Sequence, residues 1–136
     1  MKVKIDLGCY LPERAHDLDA GYDLRSPKLA LVPPYSSTVI DTGVHVAIPA
    51  HHVGMIKSKS GLNVKYNITS EGVVDAGYTG SIKVKLYNHG HDTYTVHKGD
   101  KISQLVIMPI ITPALELVAV LDGSERGDNG FGSTGR

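Results

Sequence analysis

Five short stretches carry residue types able to do chemistry. In "DAGYDLRS" (19–26), Asp19 and Asp23 flank Gly21, which permits a tight turn. Carboxylates beside a turn hold a hard cation directly or through its waters, or they simply cap the turn. In "KSKSGLN" (57–63), Lys59, Ser60 and Gly61 precede a helical pattern, with Ser60 placed as a cap. Amides, a hydroxyl and an ammonium can gather an anion there, although an ordinary cap with a surface lysine uses the same residues. The order and spacing are not those of a Walker A loop. In "EGVVDAGYTGSIKVKLYNHG" (71–90), two apolar strand halves flank residues 75–80. This predicts a hairpin with Asp75 on one shoulder and Tyr78 at the tip. Hairpin backbone offers an N–H and C=O edge to a flat base, and a tyrosine there packs on a sugar; a plain turn with an exposed tyrosine is the alternative. In "KGDKISQLVIMPI" (98–110), Gln104 interrupts an apolar run. A buried amide without partners costs a few kcal/mol, so Gln104 bonds either the fold or a ligand. In "RGDNGFGSTGR" (126–136), Arg126 carries a fork suited to phosphate. Ser133 and Thr134 offer hydroxyls between glycines, and Phe131, the single phenylalanine, can stack on a base.

The elements that must position these residues read mainly as strands. "GSIKVKLYN" (80–88) sets Ile82, Val84 and Leu86 against Lys83, Lys85 and Tyr87, and "DTGVHVAIP" (41–49) sets Val44, Val46 and Ile48 against His45 and Ala47. Period two marks half-buried strands. "ISQLVIMPI" (102–110) is apolar enough for burial on both sides, and "LELVAVL" (115–121) is a further strand candidate. Many short strands punctuated by Gly and Pro predict a sandwich or barrel. Helix is scarce: "SGLNVKYN" (60–67), with Leu62 and Tyr66 four apart, allows two turns at most. Residues 121–136 lack the apolar surface to pack alone.

Composition narrows the classes. The chain has 136 residues, one domain by size, with 14 Lys+Arg against 14 Asp+Glu. A net charge of zero exerts no general pull on nucleic acid or an acidic membrane. One cysteine, Cys9, excludes an intrachain disulfide and fits a reducing compartment. The apolar start is short for a signal peptide and no run reaches membrane-spanning length, so the expectation is a cytoplasmic protein, in host cytoplasm if phage-encoded, with no nucleic-acid or membrane partner. The seven histidines show no metal-ligand spacing: His51-His52 and His89-x-His91 lack a third partner, and all read as surface residues.

In order, "AGYDL" (20–24), "KSGL" (59–62), "GVVDAGYTG" (72–80), "KGDKISQL" (98–105) and "RGDNGFGSTG" (126–135) closely resemble the motifs of the homotrimeric dUTP pyrophosphatases, the dUTPase family, in the form found in Gram-positive bacteria and their phages. The resemblance implies an all-β, jelly-roll-like β-clip or distorted-barrel subunit over residues 1–125, with one short helix, and a flexible glycine-rich arm over 126–136. It implies a homotrimer with active sites at subunit interfaces, and Mg²⁺-dependent hydrolysis of dUTP to dUMP and pyrophosphate. Asp75 then matches the carboxylate that activates water, and Tyr78 the aromatic beneath the deoxyribose. The backbone between Gly72 and Lys83 matches the reader of the uracil edge. Asp23 matches the carboxylate near the metal's water shell, the metal being held mainly by the triphosphate. Lys59, Ser60, Gly61 and Gln104 match phosphate contacts. In the arm, Arg126, Gly132, Ser133 and Thr134 match phosphate contacts and Phe131 the base-stacking ring.

Two departures stand out. Lys59 replaces the usual arginine, keeping the charge and losing the bidentate fork. Asp128 places a negative charge in the arm near triphosphate. Two rivals also follow. Deoxycytidine triphosphate deaminases share the fold, but they use a glutamate where this chain has the "GVVDAGYTG" stretch. A regulator acting through a partner protein would use the nucleotide-bound arm as a switch.

Overall fold

The computed structural model describes residues 1–129. Strands run β1 (Lys2–Ile5), β2 (Gly21–Arg25), β3 (Ala30–Val32), β4 (Ser37–Asp41), β5 (Val44–Ala47) and β6 (His52–Lys57). The single helix among the described residues, α1 (Ser60–Tyr66), precedes β7 (Ile68–Val74), β8 (Lys83–Asn88), β9 (Tyr94–Val96) and β10 (Lys101–Pro109). Every pairing is antiparallel. A six-stranded sheet has the order β2-β10-β6-β7-β8-β4, and the pairs β1-β5 and β3-β9 flank it.

Alternation decides which side chains go inside. Val84 and Leu86 of β8 are fully buried while Lys83, Lys85 and Tyr87 face out, and Val44, Val46 and Ile48 are buried around a half-covered His45. These residues join Leu24, Ile40, Ile68, Ile82, Ile102 and Leu105 in one core. At Gly54 on β6 a Cβ would stand 2.7 Å from the Ile48 side chain and 2.9 Å from that of Leu105, so the missing side chain lets the strand lie on the core.

Four expectations change. Lys59, not Ser60, is the N-cap of α1, and no side-chain cap bond forms. The helix ends instead on Asn67 in the left-handed conformation, whose N–H reaches the Asn63 carbonyl. Gly21 lies inside β2 rather than in a turn; a Cβ there would stand 2.4 Å from Gln104 Oε1, so the glycine makes room for the amide. The two-sided burial expected for residues 102–110 holds only for the first half of β10, and Met108, Pro109 and Ile110 are exposed. The strand expected at 115–121 is absent: Leu115 and Leu117 are fully exposed, and no edge among the described residues pairs with them.

Candidate active site

The sheet brings the first, second and fourth stretches together. Asp23 on β2 is level with Gln104 on β10, and Gln104 is level with Lys57 at the end of β6. Beyond Lys57 the chain turns into α1. That turn is pinned by buried polar bonds: Ser58 Oγ donates to the Ser70 carbonyl (2.9 Å) and accepts from the Ser70 N–H (2.8 Å). Ser103 Oγ donates to the Lys57 carbonyl at 2.9 Å and pairs with Ser70 Oγ at 2.8 Å. Gln104 Nε2 donates to the Ser58 carbonyl at 3.2 Å. The choice between a structural and a ligand role for Gln104 is therefore settled for one N–H, and the other N–H of the same amide has no partner among the described residues. Ser60 and Gly61 are exposed on the first turn of α1.

Asp23 is the anchor of this cluster. Its side chain is 9% exposed and accepts from Lys59, and from Lys101 at 2.6 Å. Burial would push its carboxyl up, but the bonds to Lys101 and Lys59 outweigh that and hold it below the usual carboxylate value. Two ammoniums against one carboxylate leave the cluster net positive, as an anion site requires. Lys101 was not singled out in the sequence; its signal was its place at the start of the strand that carries Gln104. Asp19 does only the bland job, accepting the His16 N–H at 2.9 Å.

The third stretch forms a separate cluster. β7 and β8 pair only from Ile68↔Asn88 to Ser70↔Leu86. Beyond that they part, because the rest of β7 follows β6 and the start of β8 follows β4. The expected hairpin is thus an open one, with backbone near Gly72 facing backbone near Lys83 and no ladder pairing between them. Asp75 stands exposed at the end of β7. Tyr78 folds back, its hydroxyl donating to the Ser81 carbonyl at 2.9 Å, and a Cβ on Gly80 would stand 2.4 Å from that hydroxyl. The loop is tied from below by Ser81, whose hydroxyl donates to Asp41. That bond, opposed by partial burial and helped by the Gly43 N–H, keeps the Asp41 carboxyl below its usual value.

The registers separate the two clusters. Gln104 is level with Lys57, whereas Val74, just before Asp75, is level with Gly54. Asp75 therefore lies about 13 Å along the strands from the Gln104 level, and β2 lies about 14 Å across the sheet from β7. On the order of 20 Å divides Asp75 from Asp23 within one chain, too far for both to serve one triphosphate. Arg126 joins neither cluster; its Nε donates to the Asn129 carbonyl at 2.8 Å, within its own turn. Phe131, Gly132, Ser133 and Thr134 lie outside the described residues.

Both Asp23 oxygens already accept lysine donors, and no three His, Cys, Asp or Glu side chains gather into a metal site among the described residues. The remaining lone pairs on Asp23 can accept a metal-bound water, so the residues suit an ion carried in by a ligand and touched through water. No helix among the described residues is long and apolar enough to cross a membrane.

Comparison with known proteins bears on all of this. The dUTPase family model matches residues 9–135. A deoxyuridine 5'-triphosphate nucleotidohydrolase of Clostridium acetobutylicum is 42% identical, with 97% of this chain and 93% of that protein covered. One from Tropheryma whipplei is 44% identical, covering 95% and 91%. Among solved structures, the dUTPase of Staphylococcus bacteriophage 80alpha with dUpNHpp superposes with a TM-score of 0.92 at 34% identity, over 99% of this chain and 98% of that one. That protein belongs to phage dUTPases described as controlling transfer of virulence genes by a proto-oncogenic G protein-like mechanism. A dUTPase from phage phi11 of S. aureus, in which a structural Mg(II) ion is coordinated, has a TM-score of 0.83 at 31% identity, covering 90% and 98%. The jelly-roll-like subunit expected from the motifs agrees with these neighbours.

Proposed function

The chain belongs to the dUTPase family, and on that premise we propose that it hydrolyses dUTP to dUMP and pyrophosphate at a site assembled from more than one copy of itself. The observation that carries this reading is the open hairpin: an unpaired backbone gap between Gly72 and Lys83, with Asp75 on its shoulder and Tyr78 folded at its tip. A pyrimidine edge would pair with such free backbone groups, and the tyrosine ring beside them would pack on the sugar.

In this mechanism Asp75 orients a water and takes its proton as the oxygen attacks the α-phosphorus. The new bond is from water oxygen to phosphorus. The bond from the α-phosphorus to its bridging oxygen breaks, and that oxygen leaves with the electron pair as pyrophosphate. Lys59, Ser60, Gly61 and Gln104 of a neighbouring copy bind the phosphates, and Arg126, Gly132, Ser133 and Thr134 of the arm (126–136) close over them while Phe131 stacks on the base. Asp23 holds Lys59 in place and would meet Mg²⁺ through water. When bound with the nucleotide, Mg²⁺ neutralises phosphate charge and favours one triphosphate geometry.

A homotrimer is supported by apolar surface that one chain leaves uncovered. Val106, Met55 and Val73 form a row across β10, β6 and β7, and Val73 is 63% exposed. Ile111, Leu115, Leu117 and Leu121, each at least 83% exposed, follow in a segment with no assigned strand, and exposed runs of this kind mark an interface. Light scattering is expected to give about three times 14.6 kDa. The free Cys9 and the relatives' chemistry of nucleotides fit a cytoplasmic location. The described role of the phage relative supports a second reading, a regulatory partner protein, tested by capture from host lysate with and without dUpNHpp.

The deciding test of the activity is pyrophosphate release from ribo- and deoxynucleoside triphosphates of all bases. Release from dUTP far above the rest is expected. Equal release from UTP, or ammonia release from dCTP, would overturn the assignment.

A further inference from the structure

His45 has a place that its sequence pattern did not reveal. It sits on the outward face of β5, yet its side chain is only 19% exposed, wedged between the end of β1 and the loop that carries Asp75 and Tyr78. Nδ1 is 2.9 Å from the Thr79 carbonyl oxygen and Nε2 is 3.1 Å from Asp6 Oδ2. Both partners only accept: one is a carbonyl and the other a carboxylate. A neutral imidazole carries one N–H and completes one of these bonds, whereas the imidazolium carries two and completes both.

We propose that His45 is a positioning residue for hydrolysis: as imidazolium it ties the Thr79 carbonyl to Asp6 and fixes the loop bearing Asp75 and Tyr78, and as neutral imidazole it releases one end. This rests on the reading of Asp75 and Tyr78 given above. The charged groups around it come from every neighbouring element. Lys4 lies opposite His45 on β1, and Lys2 lines the same depression. Asp6 follows β1. From β4 comes Asp41, which feels both Asp6 and Lys83. The loop itself contributes the Thr79 carbonyl. The bonds to Thr79 and then Asp6 raise the imidazole above its usual 6.5, against partial burial and Lys4. A raised folded value means the clamp is complete below about pH 6.5 and is lost as pH climbs through the higher folded value.

The experiment has two arms on the full-length protein. In the first, kcat and KM for dUTP are measured from about pH 5.5 to about pH 9 on wild type, His45→Gln and Asp6→Asn. Losing one hydrogen bond to the loop is expected to raise the wild-type KM about 2- to 10-fold across the His45 titration. His45→Gln, with an amide donor at every pH, should lose that inflection, and Asp6→Asn should move it to lower pH. In the second arm, amide shifts of Tyr78, Thr79 and Gly80 in the nucleotide-free protein are followed by NMR and should move with the His45 ring. An unchanged pH profile in His45→Gln, or loop amides that ignore the ring titration, overturns the proposal. If the amides follow the ring and dUTP is hydrolysed at no pH, the clamp stands and the hydrolytic reading falls.

Discussion

Asp23 on β2 and Asp75 just past the end of β7 are carboxylates in different surroundings, because different groups face them. Asp75 is exposed and has no ion-pair partner among the described residues, so it is available to take a proton from water. Asp75→Asn is expected to keep the fold and nucleotide binding and to cut turnover about 10²- to 10⁴-fold, the usual cost of losing a general base. Steady-state kinetics beside a dUpNHpp titration checks this, and a variant with more than about a tenth of wild-type turnover would remove Asp75 from the chemistry. Asp23 is a structural carboxylate between two lysines. Its folded value lies below the ordinary 3.8, so its contribution to stability is present above about pH 4 and is lost as pH falls further. Urea midpoints at about pH 7 and about pH 3 should therefore converge in Asp23→Asn relative to wild type. A wild-type-sized acid loss in that variant would place the acid sensitivity elsewhere.

Among the elements, those with clean alternation were legible in the sequence: β8 and β5 bury the residues their period assigns, since each has one face on the core. Gln104 was legible as a polar residue needing a partner, but the partner, the Ser58 carbonyl, comes from the turn after β6 and no local pattern encodes that register. His45 and Lys101 were missed for the same reason, because their importance lies in what the topology puts opposite them. Residues 115–121 have strand composition without a strand, because a strand also needs an edge, and the described residues offer them none. The open hairpin is likewise a product of competition: β6 and β4 draw β7 and β8 apart after Ser70 and Leu86. Gly80 is the weak point of that loop. A Cβ there would stand 2.4 Å from the Tyr78 hydroxyl, so Gly80→Ala should displace the ring and cost its bond to the Ser81 carbonyl. If Tyr78 excludes the ribose hydroxyl, worth roughly 1–3 kcal/mol, the dUTP/UTP ratio of kcat/KM should fall about 5- to 150-fold. A ratio unchanged while both values drop would assign Tyr78 a different task.

At the scale of the whole molecule, the account depends on copies sharing sites. The arm follows from the same logic: deleting residues 126–136 should leave a folded assembly, since the segment holds one large apolar side chain, yet abolish most hydrolysis by removing Arg126 and the lid. Phe131→Ala should lower kcat/KM about 5- to 150-fold, the range for losing a stack on a base. The most direct measurement mixes two inactive variants. One copy carries Asp75→Asn; the other carries Lys59→Ala with Gln104→Ala; the two are co-expressed with different tags and the mixed oligomers purified. Each parent oligomer should be nearly inert. If Asp75 of one copy works with Lys59 and Gln104 of another, each purified mixed trimer regains one of its three sites, and with it about a third of wild-type dUTP hydrolysis. Mixed oligomers no more active than their parents would mean that one chain builds the whole site, and would contradict the separation on which the account rests.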